Sequence, residues 1–146
     1  MIMVDTSILV YAVGADHPLQ APCRHLVELV ADGTVAATTT IEAIQEFVHV
    51  RARRRERTDA AALGRAYATL FGPLTQPAAT DLEAGLELFQ RHAALGAFDA
   101  VLAATAQRTT QGLIASTDRA FTSVGSLRLL DPADDAFVAS LVEAGS

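Results

Sequence analysis

The sequence contains no lysine; all 11 basic residues are arginine. Every mechanism that needs a lysine is thereby excluded. The simplest source of the bias is genomic base composition, since the chain is also rich in alanine. Cys23 is the lone cysteine, which rules out a disulfide framework and a thiolate metal cluster. A single thiol in a predicted helix reads as a small core residue and suits a reducing, cytoplasmic compartment. Aromatic residues make up only 5% of the chain, so extensive base stacking is not expected. No apolar run approaches the roughly 18 residues of a membrane span. The apolar N-terminus lacks a basic start and is interrupted by Asp5, unlike a signal peptide. A soluble protein with no membrane contact is expected.

With 146 residues, 51% of them hydrophobic, the chain can build one sizeable core. A single domain over residues 1–146 is expected. The net charge of -6 argues against a uniformly basic surface. It still permits nucleic-acid binding if the acids gather around a metal and the arginines gather elsewhere.

Short apolar runs alternate with helical patterns. Ile2–Val4, Val35–Ala37, Leu113–Ala115 and Leu127–Leu130 read as strands, with Leu74–Pro77 as a short edge strand. Helices are expected over residues 6–13, 19–31, 58–71 and 134–142, with a short one at 119–122. Thr39-x-x-Glu42 and Thr80-x-x-Glu83 read as capping boxes opening helices to about Arg54 and Ala94. Phe98–Gln107 is apolar nearly all round and reads as a buried helix. This order predicts a three-layer α/β/α sandwich around a parallel sheet.

In such folds, sites form beyond the carboxyl ends of the strands. Asp5 follows the first strand, and Asp118 follows Leu113–Ala115 by way of Ser116 and Thr117. Each could equally serve as a helix N-cap. Asp99 lies in the first turn of the apolar helix, where an ionised carboxylate is costly without a partner. Glu42 and Glu46 share a helix face. The capping box occupies Glu42, so Glu46 is the preferred fourth acid. Carboxylates about 4 Å apart repel by roughly 4 kcal/mol per pair at an effective dielectric of 20. A cluster of them needs protons or cations, and all-oxygen ligands without Cys or His select Mg²⁺ or Mn²⁺.

Four stretches carry a family resemblance: Met3-Val4-Asp5-Thr6-Ser7, Ile44-Gln45-Glu46-Phe47, Phe98-Asp99-Ala100 and Ser116-Thr117-Asp118-Arg119-Ala120-Phe121. In order and spacing they resemble PIN-domain ribonucleases, specifically the VapC toxins of bacterial toxin–antitoxin modules. The resemblance implies a PIN fold and a Mg²⁺- or Mn²⁺-dependent endoribonuclease that hydrolyses RNA with metal-activated water. Its products would carry 5′-phosphate and 3′-hydroxyl ends. It places catalytic and metal-holding roles on Asp5, Glu46, Asp99 and Asp118, with Ser7 and Thr117 as supporting hydroxyls. It further implies a VapB-type antitoxin partner and a homodimer. The face bearing Leu26, Leu29 and Val30 is a possible docking groove, though core packing is the simpler reading.

Arg51, Arg53, Arg54, Arg55 and Arg57 follow the helix that carries Glu46. Arginine bonds phosphate in a forked, bidentate manner. RNA contacts are therefore expected from Arg51, Arg53, Arg54 and Arg55, and from Arg119 beside Asp118. His17, His25, His49 and His92 show no ligand spacing, and Tyr11 and Tyr67 read as packing residues. Two other readings compete. An aspartyl-phosphate protein would also place Asp after an early strand. However, a phosphatase of that kind wants a second Asp where Ser7 stands, and a receiver domain needs a lysine. A non-catalytic RNA- or protein-binding module would leave the four acids unexplained.

Overall fold

Ile2, Met3 and Val4 are all fully buried, although successive strand side chains point to opposite faces. A strand buried on both sides needs cover on both sides. The computed structural model, which describes residues 1–145, supplies it with four parallel strands between two helical layers. The strands are β1 (Ile2–Val4), β2 (Ala37–Thr38), β3 (Leu113–Ala115) and β4 (Arg128–Leu130), in the order β2-β1-β3-β4.

The helices are α1 (Thr6–Ala12), α2 (Gln20–Ala31), α3 (Ile41–Ala52), α4 (Arg57–Leu70), α5 (Ala79–Arg91), α6 (Ala97–Thr109) and α7 (Phe137–Gly145). A 3₁₀ turn covers Arg119–Ser123. Strand alternation sorts the core into two. Ile2, Val4, Ala115 and Leu130 pack with Leu9, Leu26, Phe47, Tyr67, Phe71 and Leu141 on one face. Met3 and Ile114 pack with Leu95, Leu102, Ala103 and Phe121 on the other. The α/β/α sandwich expected from the sequence is thus present, and Cys23 is buried in α2 as expected.

Several local expectations are corrected. The face bearing Leu26, Leu29 and Val30 is packed into or against the first core, so it offers no docking groove. The cap of α3 is Thr40, whose hydroxyl accepts from Ala43 N–H at 3.1 Å, so Glu42 has no capping role. Thr39 instead donates to the Val4 carbonyl at 2.7 Å, tying β1 to the start of α3. At α5, Asp81 rather than Glu83 closes the first turn by accepting from Ala78 N–H at 2.8 Å. The same carboxylate pairs with Arg108 of α6 at 2.6 Å, and that guanidinium holds it below the usual carboxylate range. Segment 74–77 contributes a single bridge, Thr40 to Thr75, rather than a strand. The α6 helix is not covered all round, because Phe98 remains 46% exposed.

Helices α5 and α6 approach so closely that Gly85 lies against the Val101 backbone. A Cβ built on Gly85 would stand 2.7 Å from Val101 Cα and 2.9 Å from Val101 N. Replacing a mid-helix glycine by alanine ordinarily gains up to about 1 kcal/mol. Here backbone overlap outweighs that gain, as overpacking typically costs about 1–3 kcal/mol. Gly85→Ala should therefore lower stability in chemical denaturation. Gly125→Ala, with nothing within 4 Å of its Cβ, should leave stability within about 0.5 kcal/mol.

Candidate active site

Asp5 ends β1 in an extended conformation and stands at the N-cap position of α1, yet its side chain makes no cap bond. Its carboxylate turns instead to hydroxyls. Oδ2 accepts from Ser7 Oγ at 2.8 Å and from Ser116 Oγ at 2.6 Å. Ser7 Oγ accepts in turn from Thr117 N–H at 3.1 Å, and Ser116 Oγ from Asp118 N–H at 3.0 Å. Both hydroxyl protons are thus committed to Asp5 Oδ2. Two donors on one oxygen orient the carboxylate and favour its ionised form. Burial opposes them: Asp5 is 6% exposed, and desolvation lifts its pKa above the ordinary value.

Sheet register explains the arrangement. Val4 pairs with Ala115, so the next residues, Asp5 and Ser116, leave the sheet side by side. Ser116 was missed in the sequence, where Thr117 was preferred. The Thr117 hydroxyl makes no hydrogen bond among the described residues, and only its backbone N–H joins the network. The supporting hydroxyls next to Asp5 are those of Ser7 and Ser116.

The other acids converge on the same place. Asp5, Glu46, Asp99 and Asp118 line one cleft of about 540 Å³ with Thr6 and Ser7. Glu46 is held by the Thr6 hydroxyl at 2.9 Å. Asp118 caps the 3₁₀ turn by accepting from Ala120 N–H through Oδ1, as its capping reading anticipated. That bond does not use Oδ2. Asp99 has no hydrogen bond or ion pair among the described residues. Its pKa is pushed up to about 6, first by burial and then by repulsion from Asp5, Asp118 and Glu46. Four acids, none of them ion-paired with an arginine, form an all-oxygen donor set that fits a hard divalent cation. Among the described residues, no three acidic, histidine or cysteine side chains yet stand at the spacing of a finished cation cage.

Glu42 is not part of this group. It lines an apolar crevice with Pro77, Leu82 and Phe98, where its Oε2 is buried without a hydrogen bond. The arginines divide similarly. Arg51 is paired with Asp59 at 2.8 Å and donates to the Val13 carbonyl at 3.0 Å, so it holds α3, α4 and the end of α1 together. Arg119 pairs with Asp131 at 2.7 Å. Arg53 contacts His49, and Arg55 donates to the Arg54 carbonyl. Arg54 lines the acidic cleft, and its guanidinium has no partner among the described residues.

A carboxyl whose folded pKa lies above its unfolded value of about 3.9 destabilises the fold when ionised. For Asp99 that penalty is complete above pH 6 and disappears as the pH falls toward 4. Asp99→Asn should therefore raise the melting temperature of cation-free protein at about pH 7.5, with the gain shrinking on acidification through this window. Thermal melts in chelator across that range check it. Equal melting temperatures at the alkaline end would contradict the electrostatic account.

Comparison with known proteins identifies the family. The PIN domain model matches residues 2–127. Ribonuclease VapC7 of Mycobacterium tuberculosis is 51% identical over 87% of this chain and 88% of its own length. Ribonuclease VapC23 of the same organism is 36% identical over 74% of this chain and 85% of its own. VapC ribonuclease Mb1869c of Mycobacterium bovis is 30% identical over 89% of this chain and 99% of its own. The chain belongs to the PIN-domain family and, within it, to the VapC ribonucleases.

Proposed function

We propose that this single domain is the toxin of a VapBC module, a cytoplasmic endoribonuclease that hydrolyses RNA with Mg²⁺ or Mn²⁺. The observation that carries the metal-dependent reading is Asp99, a partnerless carboxyl lifted to about 6 by burial and by three other carboxylates in one cleft. Asp5, Asp99 and Asp118 would hold the cation, with Glu46 completing the set. When bound, the cation neutralises phosphate charge and eases deprotonation of water.

The chain's own residues do the rest. Ser7 and Ser116 fix the Asp5 carboxylate through its Oδ2, and they act as positioning residues. Thr6 holds Glu46 at the cleft wall, where its other oxygen can orient a water toward phosphorus. Arg54, set in the same cleft, offers a forked donor to the RNA backbone. A VapB-type antitoxin would hold the enzyme inactive until released. No helix among the described residues is long and apolar enough to cross a membrane.

Homodimer formation is part of the same proposal. Leu82, Leu86 and Phe89 form a stripe at helical spacing on α5. They are 52%, 42% and 46% exposed, and Leu82 shares a crevice with exposed Phe98. An apolar surface of this kind favours a partner, and the unpaired Glu42 beside it would gain a donor.

Cleavage of total RNA with Mg²⁺ or Mn²⁺, and its loss in chelator, test the function. Asp5→Asn, Glu46→Gln, Asp99→Asn and Asp118→Asn should each reduce cleavage at least about a hundredfold, since a metal site contributes several kcal/mol. Ser116→Ala should cost about 10- to 100-fold, as for other residues that orient a ligand. Glu42→Gln should retain activity. Cleavage that survives in chelator would refute metal dependence, and no cleavage in Mn²⁺ would refute the nuclease reading. For the dimer, sedimentation equilibrium should show a two-chain species for wild type and a folded monomer for Leu86→Arg. A wild-type monomer at micromolar concentration would refute it.

A further inference from the structure

The cleft is longer than its acids require. Two helices line it, and both carry its walls away from the carboxylates. From Asp5 the lining residues step along α1 through Ser7, Val10 and Tyr11 to Gly14 just past its end; on α3 they run from Glu46 to Val50, with Arg54 just past its end. At 1.5 Å of rise per residue, the helical part of each wall, Ser7 to Tyr11 and Glu46 to Val50, runs about 6 Å, and the turns that follow extend it. The far part has different chemistry. Val10 and Val50 give it an apolar floor, and Tyr11 and His17 place two rings there, 4.8 Å apart and tilted by 41°.

His17 is exposed but not loose. Its Nδ1 accepts from Leu19 N–H at 3.1 Å, which leaves the proton of the uncharged ring on Nε2 as a donor. Tyr11 is half-buried with part of its ring packed against the core, and its hydroxyl has no partner among the described residues. Neither ring has a role in the acid cluster. Arg54 adds a cation without a partner. Asp16 also lines this part and repels phosphate, so Arg54 is the side on which a phosphate would be accepted.

We infer that this arm of the cleft is a subsite for one unpaired nucleotide beside the scissile phosphate. The base stacks on the Tyr11–His17 pair, and Arg54 takes a backbone phosphate. Stacking suits the site because every base has a π-face, and forked arginine donors match phosphate oxygens. The inference rests on the ribonuclease reading, and it assigns substrate contacts to residues that packing alone does not explain.

The test is steady-state cleavage by the full chain of an oligoribonucleotide carrying the bond that wild type cuts. Matched substrates lack the base at one flanking position each. One abasic position should raise the wild-type KM roughly 5- to 100-fold, the range of a lost stacking contact. Tyr11→Leu, which keeps apolar bulk against the core, and His17→Ala, at an exposed position, should raise KM for the intact substrate. Both should also shrink the abasic penalty toward onefold, with kcat little changed. Arg54→Ala should raise KM for intact and abasic substrates alike and reduce the slope of log KM against log salt by about one. Wild-type kinetics in both ring variants, or no abasic position that matters to wild type, would overturn the subsite while the nuclease assignment stood. An unchanged salt slope in Arg54→Ala would remove its phosphate contact. Failure of wild type to cleave any RNA would overturn the functional reading and the subsite together.

Discussion

The parallel pairing of β1 with β3 sets the position of everything in the cleft. It brings the ends of two strands, more than a hundred residues apart in sequence, to one edge of the sheet. Asp5 and Ser116 emerge there as neighbours, and Asp118 follows two residues later. The two serine hydroxyls then hold Asp5 Oδ2 from both sides. Helices α3 and α6 bring Glu46 and Asp99 to the same cleft. A fold that gathers four carboxylates must tolerate their repulsion, and the two apolar cores on either side of the sheet supply the stability that makes this possible.

The same gathering sets the acids against one another. Asp99 is buried and faces three other carboxylates, with no donor to relieve it. Elsewhere the fold treats buried acids differently. Asp81 is covered by Arg108 and also caps α5, so its charge is favoured. Asp131 is paired with Arg119. Asp81 and Asp131 each have an arginine partner, whereas the four acids of the cleft have none and face one another. That contrast is a physical mark of a functional site.

Much of this was legible in the sequence. The first, third and fourth strands are legible as short apolar runs, while the second lies at Ala37–Thr38 rather than 35–37. Asp5, Asp118 and Asp99 stand out by their places after strands or inside an apolar helix, whereas Glu46 is preferred only through a capping role for Glu42 that the structure gives to Thr40. What escaped notice depends on contacts between distant segments. Thr39 and Thr40 are equally good caps on paper, and the pull of the Val4 carbonyl on Thr39 leaves the cap to Thr40. Ser116 and Thr117 both carry hydroxyls, and only the β1–β3 register makes Ser116 the neighbour of Asp5. Arg51 looked like its neighbours in a basic run until Asp59 of α4 claimed it. Tyr11 reads as packing, and part of its ring does pack against the core; its pairing with His17 in the cleft depends on the turn after α1.

The central claim is that these four side chains together hold a divalent cation. Crystals grown with Mn²⁺, with data collected at the manganese absorption edge, test it most directly. The account predicts anomalous density in the cleft, bounded by oxygens of Asp5, Asp99 and Asp118 with Glu46 beside them. Manganese bound elsewhere, or a cleft that stays empty in Mn²⁺ while RNA is still cut, would contradict it.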